Sequence, residues 1–535
     1  MHITRVFIDG FKRLTNFCLD LNPNLNVIVG DNETGKSSVL EAINLALSRQ
    51  FDSRNIDYVL DSYLFNSVVV ANYFTSVRRG ITTPPPTITI EVYFNDDPDD
   101  SNLCKLKGAN NTRCDNCPGV CLLIEPDNAF TNELKDYVAD TSNPCLIPTE
   151  FYRISWLSFA GNPLNWRSIP FKATIIDTSL SRNTKGPNKY VSQVISDVLS
   201  NEQRNQLSLA YKKLRHSFIQ EGGVATINAY LEEQGKRATN KKLSVQMDMS
   251  ARASWDSTIS AHLNDLPFDC VGKGEQCRVQ MRLAIADASF SRLLLIEEPE
   301  NHLSHTKMNM LMDDIVTQCT NQQIILTTHS AFVLNKLGID NLKLISPACE
   351  VVSISGLAPD TRDYFMKLPG YDTLRLILAT RCILVEGPSD ELVVQRAYRD
   401  LHGKLPIEDG VDVISVSLAF KRFLEIASLL NLNVSVVTDN DGCVEALRSK
   451  YKEYSNDSKN NIRIYYDLDE SCKTLEPQIL KANSLEILNE IFGTKHVTDA
   501  ELLEHMKNNK TSCALSLFET THKWSVPGYI ADAIK

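Results

Sequence analysis

Positive charge is in short supply: 55 Lys and Arg stand against 66 Asp and Glu, a formal net charge of −11 over 535 residues. That balance excludes a protein that coats nucleic acid through its overall charge. Contact with a polyanion must come from local basic surfaces or from metal ions held by carboxylates. No apolar run is long enough to cross a bilayer, and the opening Met1-His2-Ile3-Thr4-Arg5-Val6-Phe7-Ile8 reads as an edge strand and not as a signal peptide. A cytoplasmic chain with no membrane partner is expected. Sustained heptads are missing as well, which excludes the long coiled coil of a chromosome-tethering protein.

What is present is globular. With 43% hydrophobic and 23% charged residues, the chain can build two to four domains, each with its own core. Fourteen cysteines in a large cytosolic chain should be mostly buried thiols. Four differ: Cys104, Cys114, Cys117 and Cys121 lie in a polar segment where Gly, Asn and Pro supply turns. Tetrahedral thiolate sites use short chelate loops of this kind, so a structural Zn²⁺ is expected; the alternative is four reduced thiols in an insertion loop.

The most informative stretch is Leu25-Asn26-Val27-Ile28-Val29-Gly30-Asp31-Asn32-Glu33-Thr34-Gly35-Lys36-Ser37-Ser38. An apolar strand, a glycine-bounded loop and a helix follow one another in the order a phosphate-binding loop requires. Gly30 and Gly35 let backbone N–H groups face an anion, and the helix N-terminus adds its positive dipole end. Lys36 would reach the β- and γ-phosphates and Ser37 would hold Mg²⁺. Gly30, Asn32, Gly35, Lys36, Ser37 and Ser38 are therefore nucleotide-binding candidates. Residues 3–9 and 25–29 read as the first strands of one nucleotide-binding sheet, and 87–94 as a half-buried strand that the cysteine segment interrupts.

Downstream, Leu293-Leu294-Leu295-Ile296-Glu297-Glu298-Pro299-Glu300 is an apolar strand ending in carboxylates, a Walker B arrangement. Glu297 would support Mg²⁺ and Glu298 would orient the attacking water as general base. Ile324-Ile325-Leu326-Thr327-Thr328-His329 delivers a histidine at the end of a second strand. The opening Ile-x-x-Phe-Lys-Arg stretch with its phosphate loop resembles the ABC-type ATPases of recombination and chromosome maintenance. In that resemblance His329 is the switch histidine, and Gly272-Lys273-Gly274-Glu275-Gln276 is the signature motif, with Gly272 where the family has Ser. Gly272 and Gly274 would close over the nucleotide of a partner subunit, so ATP binding would join two chains. Between about Lys189 and Gln234 a helical pattern suits either a dimerisation arm or packing on the ATPase lobe. Lys236, Arg237, Lys241 and Lys242 form the clearest basic run.

A second chemistry begins at Cys382-Ile383-Leu384-Val385, followed by Glu386-Gly387-Pro388-Ser389-Asp390; Val434-Ser435-Val436-Val437-Thr438 then repeats the pattern and ends in Asp439-Asn440-Asp441-Gly442. Two parallel strands can present these carboxylates at one edge of an α/β sheet. Like charges at that density need cations, and a pair of Mg²⁺ ions would activate water for attack on a phosphodiester. Glu386 and the Asp439-x-Asp441 pair resemble the TOPRIM fold. No tyrosine-nucleophile domain of a topoisomerase and no template-binding module of a primase accompanies them.

An ABC ATPase followed by TOPRIM, with Glu-Glu-Pro-Glu-x-His-Leu in Walker B, resembles the overcoming-lysogenization-defect (OLD) nucleases over nearly the whole chain. The resemblance implies an α/β protein: an ABC-type ATPase domain in two parts, 1–188 and 266–375, around a helical insertion at 189–265, then a Rossmann-like TOPRIM domain at 376–535. It further implies Asp390 as a metal ligand, a downstream acid for which Glu476 is preferred over Asp467 and Asp469, and a lysine at the scissile phosphate, Lys510 with Lys523 as runner-up. The family's second downstream acid is not evident. The activity implied is an ATP-regulated, Mg²⁺-dependent DNA endonuclease of antiviral defence, similar to those of Gabija systems and retrons. It would act as a homodimer or homotetramer, alone, with a helicase-like protein, or with a reverse transcriptase and its DNA–RNA product. Readings from other classes are a DNA-bound ATPase clamp or repair scaffold, and a nuclease directed at RNA such as tRNA.

Overall fold

A computed structural model describes residues 1–51, 54–140, 142–165, 168–169, 173–177, 200–218, 221–235, 243–245, 247, 261–286, 292–301, 303–318, 322–346, 349–353, 356–367, 375–377, 379, 381–455 and 461–535. The chain forms two compact units, Met1–Pro170 with Thr327–Lys535, and Phe171–Leu326.

The first unit opens with an antiparallel sheet in the order Phe17–Asp20, Ile3–Asp9, Ile88–Phe94, Cys117–Pro126, with Tyr152–Ser158 also paired to Cys117–Pro126. Leu25–Gly30 does not join it. That strand is apolar and buried almost throughout, as a parallel strand covered on both faces should be, and it pairs in parallel with Leu342–Ile345. The expectation of one sheet for residues 3–9 and 25–29 is therefore corrected: the first strand is antiparallel on both sides, the second parallel. Ile88–Phe94 is nearly all buried, not half-buried.

The cysteine segment is likewise corrected. Cys117–Pro126 is a sheet strand, with Cys121 opposite Glu91. Pro118-Gly119 is part of the strand, and the glycine serves packing: a Cβ there would sit 2.1 Å from Cε2 of Phe159. Four strand residues span about 13 Å, too far for Cys117 and Cys121 to share a tetrahedral ion. No group of three or more His, Cys, Asp and Glu among the described residues could hold a metal as it stands, so the expected zinc site does not form.

The C-terminal part of this unit holds a four-stranded, all-parallel sheet in the order Val411–Ser415, Arg381–Val385, Asn433–Val437, Ile462–Tyr465. Its two central strands are near-continuous apolar runs, which parallel sheets covered by helices require. In chain order the strands run second, first, third, fourth, so the chain reverses direction across the sheet between the two central strands. A crevice for ligands opens at such a switch point, outside the carboxyl ends of the strands. Helices Pro388–His402, Leu475–Ala482, Asp499–Asn508, Lys510–Glu519 and Gly528–Ala533 pack over it through Val393, Val394, Ala397, Ile479, Leu502 and Leu517.

In the second unit Ala173–Asp177 runs parallel to Leu293–Glu297, with Asp177 opposite Glu297. Helices Asn201–Phe218 and Gly222–Gly235 lie in the expected insertion, and on the first of them Leu209 and Leu214 are exposed. Val191, Val194, Ile195, Val198 and Leu199, and the basic run Lys236, Arg237, Lys241 and Lys242, lie outside the described residues. Among those described, no helix is long and apolar enough to cross a membrane.

Candidate functional site

The phosphate loop belongs to the first unit. Gly30 ends its strand, and helix Lys36–Ser48 starts directly after Gly35, whose φ of 93° lies in the left-handed region. A side chain at Gly30 would meet Thr34 Oγ1 at 2.6 Å and the Ile345 carbonyl at 2.8 Å. Lys36 is buried, and its Nζ donates to the carbonyls of Gly30 at 3.0 Å and Asp31 at 2.8 Å. The lysine thus folds back into its own loop, with Ser37 and Ser38 half-buried and Asn32 exposed beside it. Thr328 N donates to the carbonyl of Ile28 at 3.1 Å, which ties the segment bearing His329 to the loop strand.

In the second unit, Glu297 closes its strand and Glu298 takes a φ of 42°, strained for a residue with a side chain. Asn301 Nδ2 donates to Glu298 Oε2 at 2.8 Å. Gly272 lies just before helix Lys273–Ala286, with Gly274 in its first turn, and its carbonyl accepts from the N–H groups of Glu275 and Gln276. Gln276 is buried and donates to the carbonyls of Phe268 at 2.7 Å and Val271 at 2.9 Å, which fixes the entry to that helix.

The carboxylates gather at the switch point of the parallel sheet. Leu384 lies opposite Val436, so Glu386 and Asp439 leave neighbouring strand ends. Glu386 Oε1 accepts from Thr438 Oγ1 at 2.7 Å and from Asp439 N at 3.0 Å. Asp390, in the first turn of its helix, accepts from Gly387 N at 3.0 Å. Glu476 is buried; it accepts from Thr474 Oγ1 at 2.7 Å and pairs with Lys510 Nζ at 3.1 Å. Asp441 lies at the exposed rim, with a φ of 52°. Asp467 and Asp469 pair instead with Lys481.

These groups feel one another. Burial first, then Glu386, Asp390, Glu476 and Asp441, pushes the Asp439 carboxyl up to about 8. Burial and Glu386 push Asp390 up to about 6, against backbone hydrogen bonds that pull it down. Burial lowers the Lys510 ammonium, but the Glu476 hydrogen bond and the charges of Glu476, Asp439 and Asp390 outweigh it and hold the group above its usual range.

An oxygen-only donor set this acidic suits Mg²⁺, whose charge would return the carboxyls to anions. Glu386, Asp390, Asp439, Asp441 and Glu476 could hold it. As they stand Glu386, Asp390 and Glu476 are turned to protein donors, and among the described residues no three such side chains clasp one point. Two residues went unread in the sequence. Asn440, 1% exposed, donates through Nδ2 to the carbonyls of Asp467 and Asp469, both at 2.9 Å, and accepts from Gly442 N at 2.9 Å. Arg396 donates through Nη1 to the carbonyls of Leu517 and Phe518 at 3.0 Å, capping the helix that Lys510 begins. The only local signal for Asn440 is its place between two aspartates; for Arg396 there is none.

Comparison with known proteins follows this division. A family model described as AAA ATPase domain matches residues 1–334, and one described as overcoming lysogenization defect protein-like, TOPRIM domain, matches residues 377–441. Over 82 residues the chain is 37% identical to the DNA replication and repair protein RecF of Pseudomonas aeruginosa, covering 14% of this chain and 22% of that protein. RecF of Actinobacillus pleuropneumoniae is 39% identical over 72 residues, covering 12% and 20%. The chain spans about a fifth of the length of these curated relatives. Among solved structures, the SMC head domain from Thermotoga maritima is similar at a TM-score of 0.30 and 14% identity, covering 66% of this chain and 99% of that one.

Proposed function

From a chain that belongs to the AAA ATPase domain family and carries behind that domain a TOPRIM domain of the overcoming-lysogenization-defect type, we propose an ATP-regulated, Mg²⁺-dependent DNA endonuclease. The observation that carries the reading is the acid cluster at the switch point, where burial and mutual repulsion push Asp439 up to about 8. A stable fold has no need to concentrate such charges unless cations join them.

Glu386, Asp390, Asp439, Asp441 and Glu476 would hold Mg²⁺, which supplies a water nucleophile at neutral pH and an electrophile for the phosphodiester. The chain's own groups do the rest. Thr438 and the Asp439 N–H fix the orientation of Glu386. Lys510, held at the cluster by Glu476, is placed to meet negative charge developing on the scissile phosphate. In the first unit Lys36 would bind phosphates with the backbone N–H groups of residues 30–38, and in the second Asn301 orients Glu298, the candidate general base.

The reading extends to a cytoplasmic homodimer joined through the ATPase lobes and to antiviral defence, similar to the Gabija and retron-linked effectors. Those steps rest on the resemblance of the sequence motifs alone. Cleavage of supercoiled plasmid with Mg²⁺, with and without ATP, tests the core of the proposal beside Glu386→Ala and Lys36→Ala. Nicking by the wild type that Glu386→Ala loses is expected, and Lys36→Ala then reports whether nucleotide licenses or restrains it. Nicking that survives Glu386→Ala refutes the assignment.

A further inference from the structure

Among the described residues Lys510 pairs with Glu476 at 3.1 Å, and Lys481 with Asp469, in the loop after the last strand, at 2.8 Å. Lys473 is exposed and has no ion pair among the described residues. Its stem nevertheless does not wander in solvent. A Cβ built on Gly442 would meet Lys473 Cε at 2.7 Å, Cδ at 3.1 Å and Cγ at 3.3 Å, so the stem fills the space that this glycine leaves. Gly442 directly follows Asp441, and its φ of 80° is itself one that side chains rarely adopt.

The loop that carries Lys473 is fixed at both ends. Asn440, between the two aspartates, holds the carbonyls of Asp467 and Asp469. Gln478, 1% exposed, donates to the carbonyl of Cys472 at 3.0 Å. A solvated surface lysine needs neither a glycine beneath its stem nor a doubly anchored loop. Here both bring an ammonium with no carboxylate partner among the described residues to the edge of Asp439-Asn440-Asp441, in a chain whose net charge is −11.

We propose that Lys473 binds a non-bridging phosphate oxygen of the nucleic-acid strand crossing the carboxylate cluster, and so sets the register of that strand against Glu386 and Asp439. The assignment rests on the nuclease reading above. A lysine is a point charge on a flexible stem, and seating the stem is what gives such a contact a defined position.

The test is binding of a fluorescent DNA duplex, with Ca²⁺ in place of Mg²⁺ to prevent cutting, across a KCl series for the wild type, Lys473→Met and Lys473→Arg. Methionine keeps much of the stem and removes the charge. Losing one phosphate contact should lower the slope of log K against log salt by about 0.9. Binding at low salt should weaken roughly tenfold. Lys473→Arg should keep the wild-type slope. A Lys473→Met slope equal to wild type, in a protein that still nicks plasmid with Mg²⁺, overturns this assignment and leaves the nuclease reading intact. A wild type that neither binds nor nicks overturns both.

Discussion

Replacing Asn440 by alanine removes three hydrogen bonds at once: two donated to the carbonyls of Asp467 and Asp469, one accepted from Gly442 N. The side chain is 1% exposed, so water cannot readily take over those partners. At about 1 kcal/mol net for each bond, the loss is roughly 3 kcal/mol, and more if the backbone groups stay dry. For a domain of this size a loss of that order lowers Tm by about 6–12 °C. The functional effect should be larger than the stability effect implies. Asn440 joins the turn bearing Asp439 and Asp441 to the loop after the last strand, and losing such an outer support typically costs about 10–100-fold in metal affinity or activity. Circular dichroism on heating, together with plasmid nicking titrated against Mg²⁺, reads both quantities. Asn440→Asp, of equal volume, aims carboxylate oxygens at two carbonyls and should be no better than alanine. If Asn440→Ala melts within about 2 °C of wild type and nicks normally at low Mg²⁺, the clamp argument is wrong.

Arg396→Met should destabilise the TOPRIM domain by about 3 kcal/mol, since it strips a buried charged donor from the last carbonyls of the Lys510 helix; thermal unfolding measures it. Glu298→Gln should slow ATP hydrolysis by roughly 10²–10⁴-fold while ATP still binds, whereas Lys36→Ala should lose binding; phosphate release and nucleotide retention separate the two. Burial, then Glu91 and Glu125, pushes the Cys121 thiol up to about 12. A raised pKa means less thiolate at pH 8, only partly offset by the greater nucleophilicity of that thiolate, so Cys121 should alkylate more slowly than an unperturbed cysteine, with the exposed Cys104 and Cys114 reacting first in peptide mapping. Elemental analysis of the same preparation should find no stoichiometric zinc, and one zinc per chain would refute the strand argument.

The features legible in the sequence were those written in consecutive residues. The phosphate loop, the Glu297-Glu298 strand and the strands before Glu386 and Asp439 each combine an apolar run with its terminating motif, so strand and loop could be read together. Their assignment to sheets could not, because pairing depends on partners more than 300 residues away, as between Leu25–Gly30 and Leu342–Ile345. The zinc expectation failed for a specific reason. Pro118-Gly119 has the composition of a turn, but the glycine makes room for the Phe159 ring in a strand, a fact held in a residue forty positions on. Asn440, Arg396 and Lys473 stayed unread for the same reason, since what each touches is remote in the chain.

Glu386 is oriented by the hydroxyl of Thr438 and the N–H of Asp439, residues of the very motif with which it shares its task. The two acidic motifs are therefore one mechanical part made from two stretches of chain. Substitutions in them should not contribute independently: once Thr438 or the Asp439 turn has shifted, changing Glu386 has less left to spoil. Drift in this protein is then expected to move the two motifs together.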